Sequence, residues 1–199
     1  MSTSEYDPLI RRQRPSGIDD LERARALFEG ASRAYLASPV PWLVWAIVLP
    51  GAALATPLAA SREGVGGVVA LWSAAVLVGG AVEGLSILRR GGRATTPLGG
   101  WAMRLQGNTS MIGLALSLLL VWRDLAPALP GLWLLLIGHS FFLLGGLAFE
   151  PMKQAGIIYQ IGGLVALWPG PHSLAAFAVA SALGNLRIAL ALVRRGAER

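Results

Sequence analysis

Apolar residues in this chain fall in long unbroken runs, and most polar residues gather between them. Six runs stand out, at about 41–60, 64–88, 98–122, 129–149, 152–170 and 172–193. Each approaches the roughly 20 residues that a helix needs to cross about 30 Å of hydrocarbon. Within a run Leu, Ala, Val and Gly lie on all sides, without the alternation of a membrane β-barrel strand. The pattern predicts an all-α integral membrane protein: six transmembrane helices in a domain over 38–195, then a short cytoplasmic tail at 196–199.

Upstream of the first run the pattern changes. Ile18, Leu21, Phe28 and Tyr35 recur at helical spacing, Ser16 and Asp19 occupy capping-box positions, and Glu22, Arg23 and Arg25 face away. Residues 16–37 therefore read as an amphipathic helix, either lying on the cytoplasmic membrane surface or docking a membrane or cytoplasmic protein partner. Residues 1–15 read as a disordered cytoplasmic tail.

Composition supports the lipid bilayer as solvent, since 54% hydrophobic and 14% charged residues are too apolar a mixture for a soluble 199-residue domain with one core. The first run starts some forty residues in and five more follow, which is not the pattern of a cleaved signal peptide. With no cysteine, disulfides, thiolate catalysis and zinc–sulfur sites are excluded. The two histidines, His139 and His172, are set apart by the topology and cannot share one haem or metal, so no cofactor and no metal are expected. The net charge of +6 comes from arginines flanking the apolar runs. It reads as topology rather than as a nucleic-acid surface.

Those arginines set an orientation. Arg11, Arg12, Arg14, Arg23, Arg25 and Arg33 precede the first span, Arg89, Arg90 and Arg93 follow the second, Lys153 opens the fifth, and Arg194, Arg195 and Arg199 end the chain. The opposite loops hold only Arg62 and Arg123, a thirteen-to-two bias. The positive-inside rule then places both termini in the cytoplasm of a multi-pass protein of the inner (plasma) membrane. Trp42 and Trp101 at inner ends, and Trp72, Trp122, Trp133 and Trp168 near outer ends, read as interfacial anchors consistent with this.

Similar devices recur along the chain. GAALATP (51–57) and GLVALWP (163–169) each end an outward-going span with Gly-x5-Pro, and the spans that return from them close on RRGG (89–92) and RRGA (194–197). LW at 71–72 and 132–133 opens the second and fourth spans, both returning, with Gly84 and Gly145 following at equal distance. Three hairpins of one orientation are inferred, either by triplication or by chance in an apolar composition. On these features residues 40–195 resemble the HdeD-type acid-resistance membrane proteins. The resemblance implies a stress-linked protein of the bacterial inner membrane and carries over no catalytic residue. The N-terminal helix and the polar stretch MRLQGNTS (103–110) depart from that family's pattern.

Polar residues inside the spans are expensive in lipid and turn toward partners. The candidate ligand or ion-pair cluster is Glu83, Arg104, Gln106, Asn108, His139, Gln154, Gln160, Asn185 and Arg187, nearly all at or below the midplane on the cytoplasmic side. Glu83 is expected to pair with Arg104, with Arg187 as competitor, and His139 to bridge helices as a neutral ring through Gln160 or Asn108. There is no GxSxG, HExxH or pair of intramembrane aspartates, so no enzyme is expected. The leading expectation is a non-catalytic stress-associated, sensory or assembly module that binds a ligand, lipid or protein partner within its bundle. The alternative is a small proton- or cation-coupled transporter using the polar cluster.

Overall fold

A computed structural model describes residues 38–89, 97–168 and 170–197. The tail expected at 1–15, the amphipathic helix expected at 16–37 and the last two residues lie outside the described residues. Among the described residues the protein is all-helical, without strands. The helices are α1 (Val40–Leu88), α2 (Pro97–Trp122), α3 (Leu129–Ala148), α4 (Glu150–Leu167) and α5 (Ser173–Ala197), with a short 3-10 turn at Ala126–Ala128 before α3.

α1 is two helical arms rather than one rod. Forty-nine straight residues would reach about 70 Å, yet the Trp45 indole donates to Glu83 Oε2 at 3.2 Å, 38 residues away. The chain reverses at Gly64, whose φ of 62° and ψ of −149° lie outside helical space. Nothing crowds that position, so the backbone conformation alone favours glycine there. α2 and α3 reverse at Asp124, with φ of 58°, and α4 and α5 at Gly170, with φ of 159°. Each of the three hairpins thus has one positive-φ residue at its turn. Between α3 and α4 the helix stops at Ala148, Phe149 is extended, and Pro151 falls within the first turn of the new helix, where its missing N–H costs nothing.

The first two hairpins are tied by one device. Thr56 Oγ1 donates to Ala52 O and accepts from the Trp72 indole at 3.0 Å; Ser117 Oγ donates to Gly113 O and accepts from the Trp133 indole at 3.1 Å. The partners are 16 residues apart in both. The third hairpin is tied differently, by Asn185 Nδ2 donating to Tyr159 OH at 2.7 Å.

Small residues set the closest approach of helices. Gly131, Gly138 and Gly145 of α3 are spaced by seven and face the α4 backbone, where Gly156 and Gly163 face back. This is close packing of the kind that drives helix association in lipid, where no hydrophobic effect separates helices from solvent. α4 lies between α3 and α5, and the α1 hairpin packs chiefly on α5. The core gathers Leu49, Leu134, Tyr159, Phe177 and Ala180 from α1, α3, α4 and α5. α2 is peripheral, resting chiefly on α3. Four helical stretches are long and apolar enough to cross a membrane: Val40–Leu88, Gly100–Trp122, Ala126–Gly146 and Ser173–Ala197.

Candidate functional site

Because α1 leans on α5 while α2 leans on α3, these two consecutive helices share no extended backbone contact. Between them lies a cleft of about 1250 Å³, floored by residues of α4 and α5. Its walls are aromatic: Trp42, Trp45 and Trp72 from α1, Trp133 and Phe141 from α3, and Phe177 from α5. These rings hold one another edge to face, Trp42 on Phe141 with centroids 5.6 Å apart and Trp72 on Phe177 at 5.4 Å. Phe141 meets Tyr159 in the same way at 5.4 Å. Edge-to-face pairs add about 0.5–1.5 kcal/mol beyond burial; they join α1 to α3, where backbone contact is sparse, and add to its packing on α5. The cleft is open, as the exposed Ser73, Val76 and Leu77 on one wall attest.

The expected polar cluster divides into three. Glu83, Gln106 and Asn185 line the cleft. Gln154 and Arg187 form a separate bond between α4 and α5, with Arg187 Nε donating to Gln154 Oε1 at 2.9 Å. Arg104, Asn108 and His139 are exposed on the outside of the bundle, and Gln160 is half-buried with its chain beside Gly138.

Two expected contacts are therefore corrected. Glu83 does not meet Arg104: its carboxylate takes the Trp45 indole, while Arg104 Nε turns back to Gly100 O at 3.3 Å and Arg187 is occupied by Gln154. Among the described residues the ion pair within 4 Å is Glu150 with Lys153, at 3.6 Å. His139 bridges neither to Gln160 nor to Asn108. It belongs to an outward stripe with Phe142, Leu143 and Gly146, because the glycine seam fixes the opposite face of α3 against α4. The neighbouring Ser140 is buried, its hydroxyl donating to Leu136 O and sharing a hydroxyl–hydroxyl bond with Thr109 Oγ1, each at 3.1 Å.

α2 sorts its polar stretch in the same way. Ala102, Gln106, Thr109, Gly113 and Ser117 follow one another along its inner face, and Arg104, Gly107, Asn108 and Met111 along the outer one. Trp45 and the indole–hydroxyl ties of Trp72 and Trp133 escaped the sequence reading. The detectable signal was a hydroxyl and a tryptophan 16 residues apart across each of the first two hairpin turns. Among the described residues no three His, Asp or Glu side chains gather as metal ligands would.

Among the described residues Glu83 is the charged residue that lines the cleft, with no Arg, Lys or His beside it in the lining. Comparison with protein-family models, curated proteins and solved structures finds no match to this chain. The chemistry of the cleft has to be read from its own residues.

Proposed function

We propose that the chain is a six-span membrane protein acting as a non-catalytic binding module that holds a small apolar or amphiphilic molecule in the α1–α2 cleft. The observation that carries this reading is the open aromatic-walled space of about 1250 Å³ containing a single carboxylate. Ligand pockets are commonly about 300–1,000 Å³, mostly apolar, with a few placed polar groups, and this cleft has that composition on a somewhat larger scale. The six-span count rests on the Gly64 reversal, which divides α1 into two arms, and on α4, which lies between two long apolar helices although Glu150 and Lys153 lower its own hydropathy.

Arginine asymmetry supports placing both termini and the Glu83 end of the cleft on the cytoplasmic face of an inner membrane. The stress-linked, sensory or assembly role is the biological setting proposed for such a module, with residues 16–37 as its surface or partner-docking element. A transporter is the second reading. It is favoured by the length of the cleft, whose lining runs from Ser38 and Ser86 near one end of the bundle to Pro127 and Gly170 at the other.

The test is equilibrium binding of the neutral dye N-phenyl-1-naphthylamine to purified protein in detergent. Saturable binding is expected, lost in the double variant Ser73→Trp/Ser110→Trp that fills the cleft from both walls and retained in Ser61→Trp at the exposed hairpin tip. Equal, unsaturable uptake by all three proteins would reject the binding site.

A further inference from the structure

We infer that the cleft selects a lipophilic organic cation, its charged head against Glu83 and its apolar body along the tryptophan wall. This rests on reading the cleft as a binding site and adds the ligand's charge and polarity.

The argument begins with electrostatics. Among the described residues no Arg, Lys or His lines the cleft, where Glu83 is the charged group. The two arginines expected to compete for it are committed elsewhere, Arg104 to its own helix and Arg187 to Gln154. The Trp45 indole donates to Glu83 Oε2 at 3.2 Å and orients the carboxylate without neutralising it. Among the described residues no hydrogen bond reaches Glu83 Oε1. A charge facing an apolar, membrane-level space calls for a counter-charge, and none of the described residues lining the cleft provides one. A ligand cation does so, whereas an anion meets only repulsion.

The walls argue in the same direction. Indole rings attract cations through their negative faces, more strongly than other aromatic side chains and more strongly still when water is excluded. Trp42 and Trp45 line the cleft at the Glu83 end, and Trp72 and Trp133 at the other. Glu83 and Trp72 lie on one helical arm at a separation of about 16 Å by helical rise. That span fits an amphiphile with a cationic end and a hydrophobic body. A bare inorganic cation is a poor fit, since one carboxylate among indole rings lacks the six to eight oxygens that calcium takes or the octahedral shell of magnesium.

The experiment pairs two hydrophobic ions of like shape and opposite charge, tetraphenylphosphonium and tetraphenylborate, with N-phenyl-1-naphthylamine as neutral reference. Binding is measured on wild type and Glu83→Gln in the same detergent, and uptake by Ser73→Trp/Ser110→Trp is subtracted as micelle background. Glutamine keeps the shape of the side chain and an oxygen for the Trp45 indole.

Wild type is expected to hold the phosphonium at least about tenfold tighter than the borate, since a carboxylate within about 4 Å at an effective dielectric of about 20 favours one sign by more than the 1.4 kcal/mol that tenfold requires. In Glu83→Gln that preference should collapse while the neutral dye binds as before. If the dye binds saturably but the two ions do not differ in wild type, or differ equally in Glu83→Gln, the cation inference is overturned and the binding site stands. If the dye fails to saturate as well, both fall.

Discussion

Replacing Gly156 by alanine puts one methyl group into the α3–α4 seam. On the present backbone it lies 2.5 Å from Phe142 N, 2.7 Å from Gly138 O and 2.9 Å from Phe142 Cα. All three are main-chain atoms of α3, which no change of rotamer moves. Carbon atoms rest about 3.5–4.0 Å apart, so the helices must part by about 1 Å, a gap that forfeits a quarter to a half of each facing dispersion contact. Overpacking costs about 1–3 kcal/mol, and rigid backbone contact puts this case near 3. Alanine's greater helix propensity returns about 1 kcal/mol, leaving a net loss of about 2 kcal/mol. Gly146 supplies the control: a methyl there meets nothing within 4 Å, so Gly146→Ala should be neutral or gain up to about 1 kcal/mol. Unfolding of purified protein in mixed micelles with rising dodecyl sulfate, followed by circular dichroism, reads both. A Gly156→Ala protein as stable as Gly146→Ala would refute the seam.

Three further outcomes follow from the hairpins. Gly64→Ala should destabilise by about 1–3 kcal/mol through backbone strain alone, since the site is uncrowded; unchanged stability in the same micelle assay would mean that the chain does not reverse there. A double-mutant cycle of Thr56→Ala with Trp72→Phe should show coupling of about 0.5–1.5 kcal/mol, and Ser117→Ala with Trp133→Phe the same; coupling in only one hairpin would break their equivalence. In right-side-out vesicles, Ser61→Cys and His172→Cys should react with an impermeant maleimide and Gly196→Cys only after lysis, and labelling of residue 196 in sealed vesicles would reverse the proposed orientation.

Helix positions were legible because a lipid environment asks for continuous apolar runs, and such runs are visible in any sequence. The second expected span begins at residue 64, where the chain turns, and the fourth and the fifth are divided at Phe149 beside Pro151. Direction around each helix was not legible. Apolar on all sides, these helices carry no stripe to mark an inner face, so position along a helix could be read and azimuth could not. Glu83 lines the cleft, yet Arg104, its expected partner, is exposed on the outside. His139 and Ser140 are neighbours in sequence, and the one expected inside is the one outside. The deciding feature was the series Gly131, Gly138 and Gly145, which fixes the seam and with it every other residue of α3. Trp72 and Trp133 were expected as interfacial anchors, but a tryptophan at that depth can face lipid or turn inward, and a hydroxyl in reach turns these two inward.

Whether a ligand occupies the cleft can be measured through the protein's own fluorescence. Trp101, Trp122 and Trp168 are outside the cleft and 43%, 75% and 73% exposed, whereas Trp42, Trp45, Trp72 and Trp133 line it. Changing the three outer residues to phenylalanine leaves the four cleft tryptophans as the only indole emitters. Titrating this variant with a neutral brominated naphthalene should quench its emission along a saturable curve matching that of wild type. Quenching that rises without saturation, as in simple partitioning into the micelle, would contradict a binding site between α1 and α2.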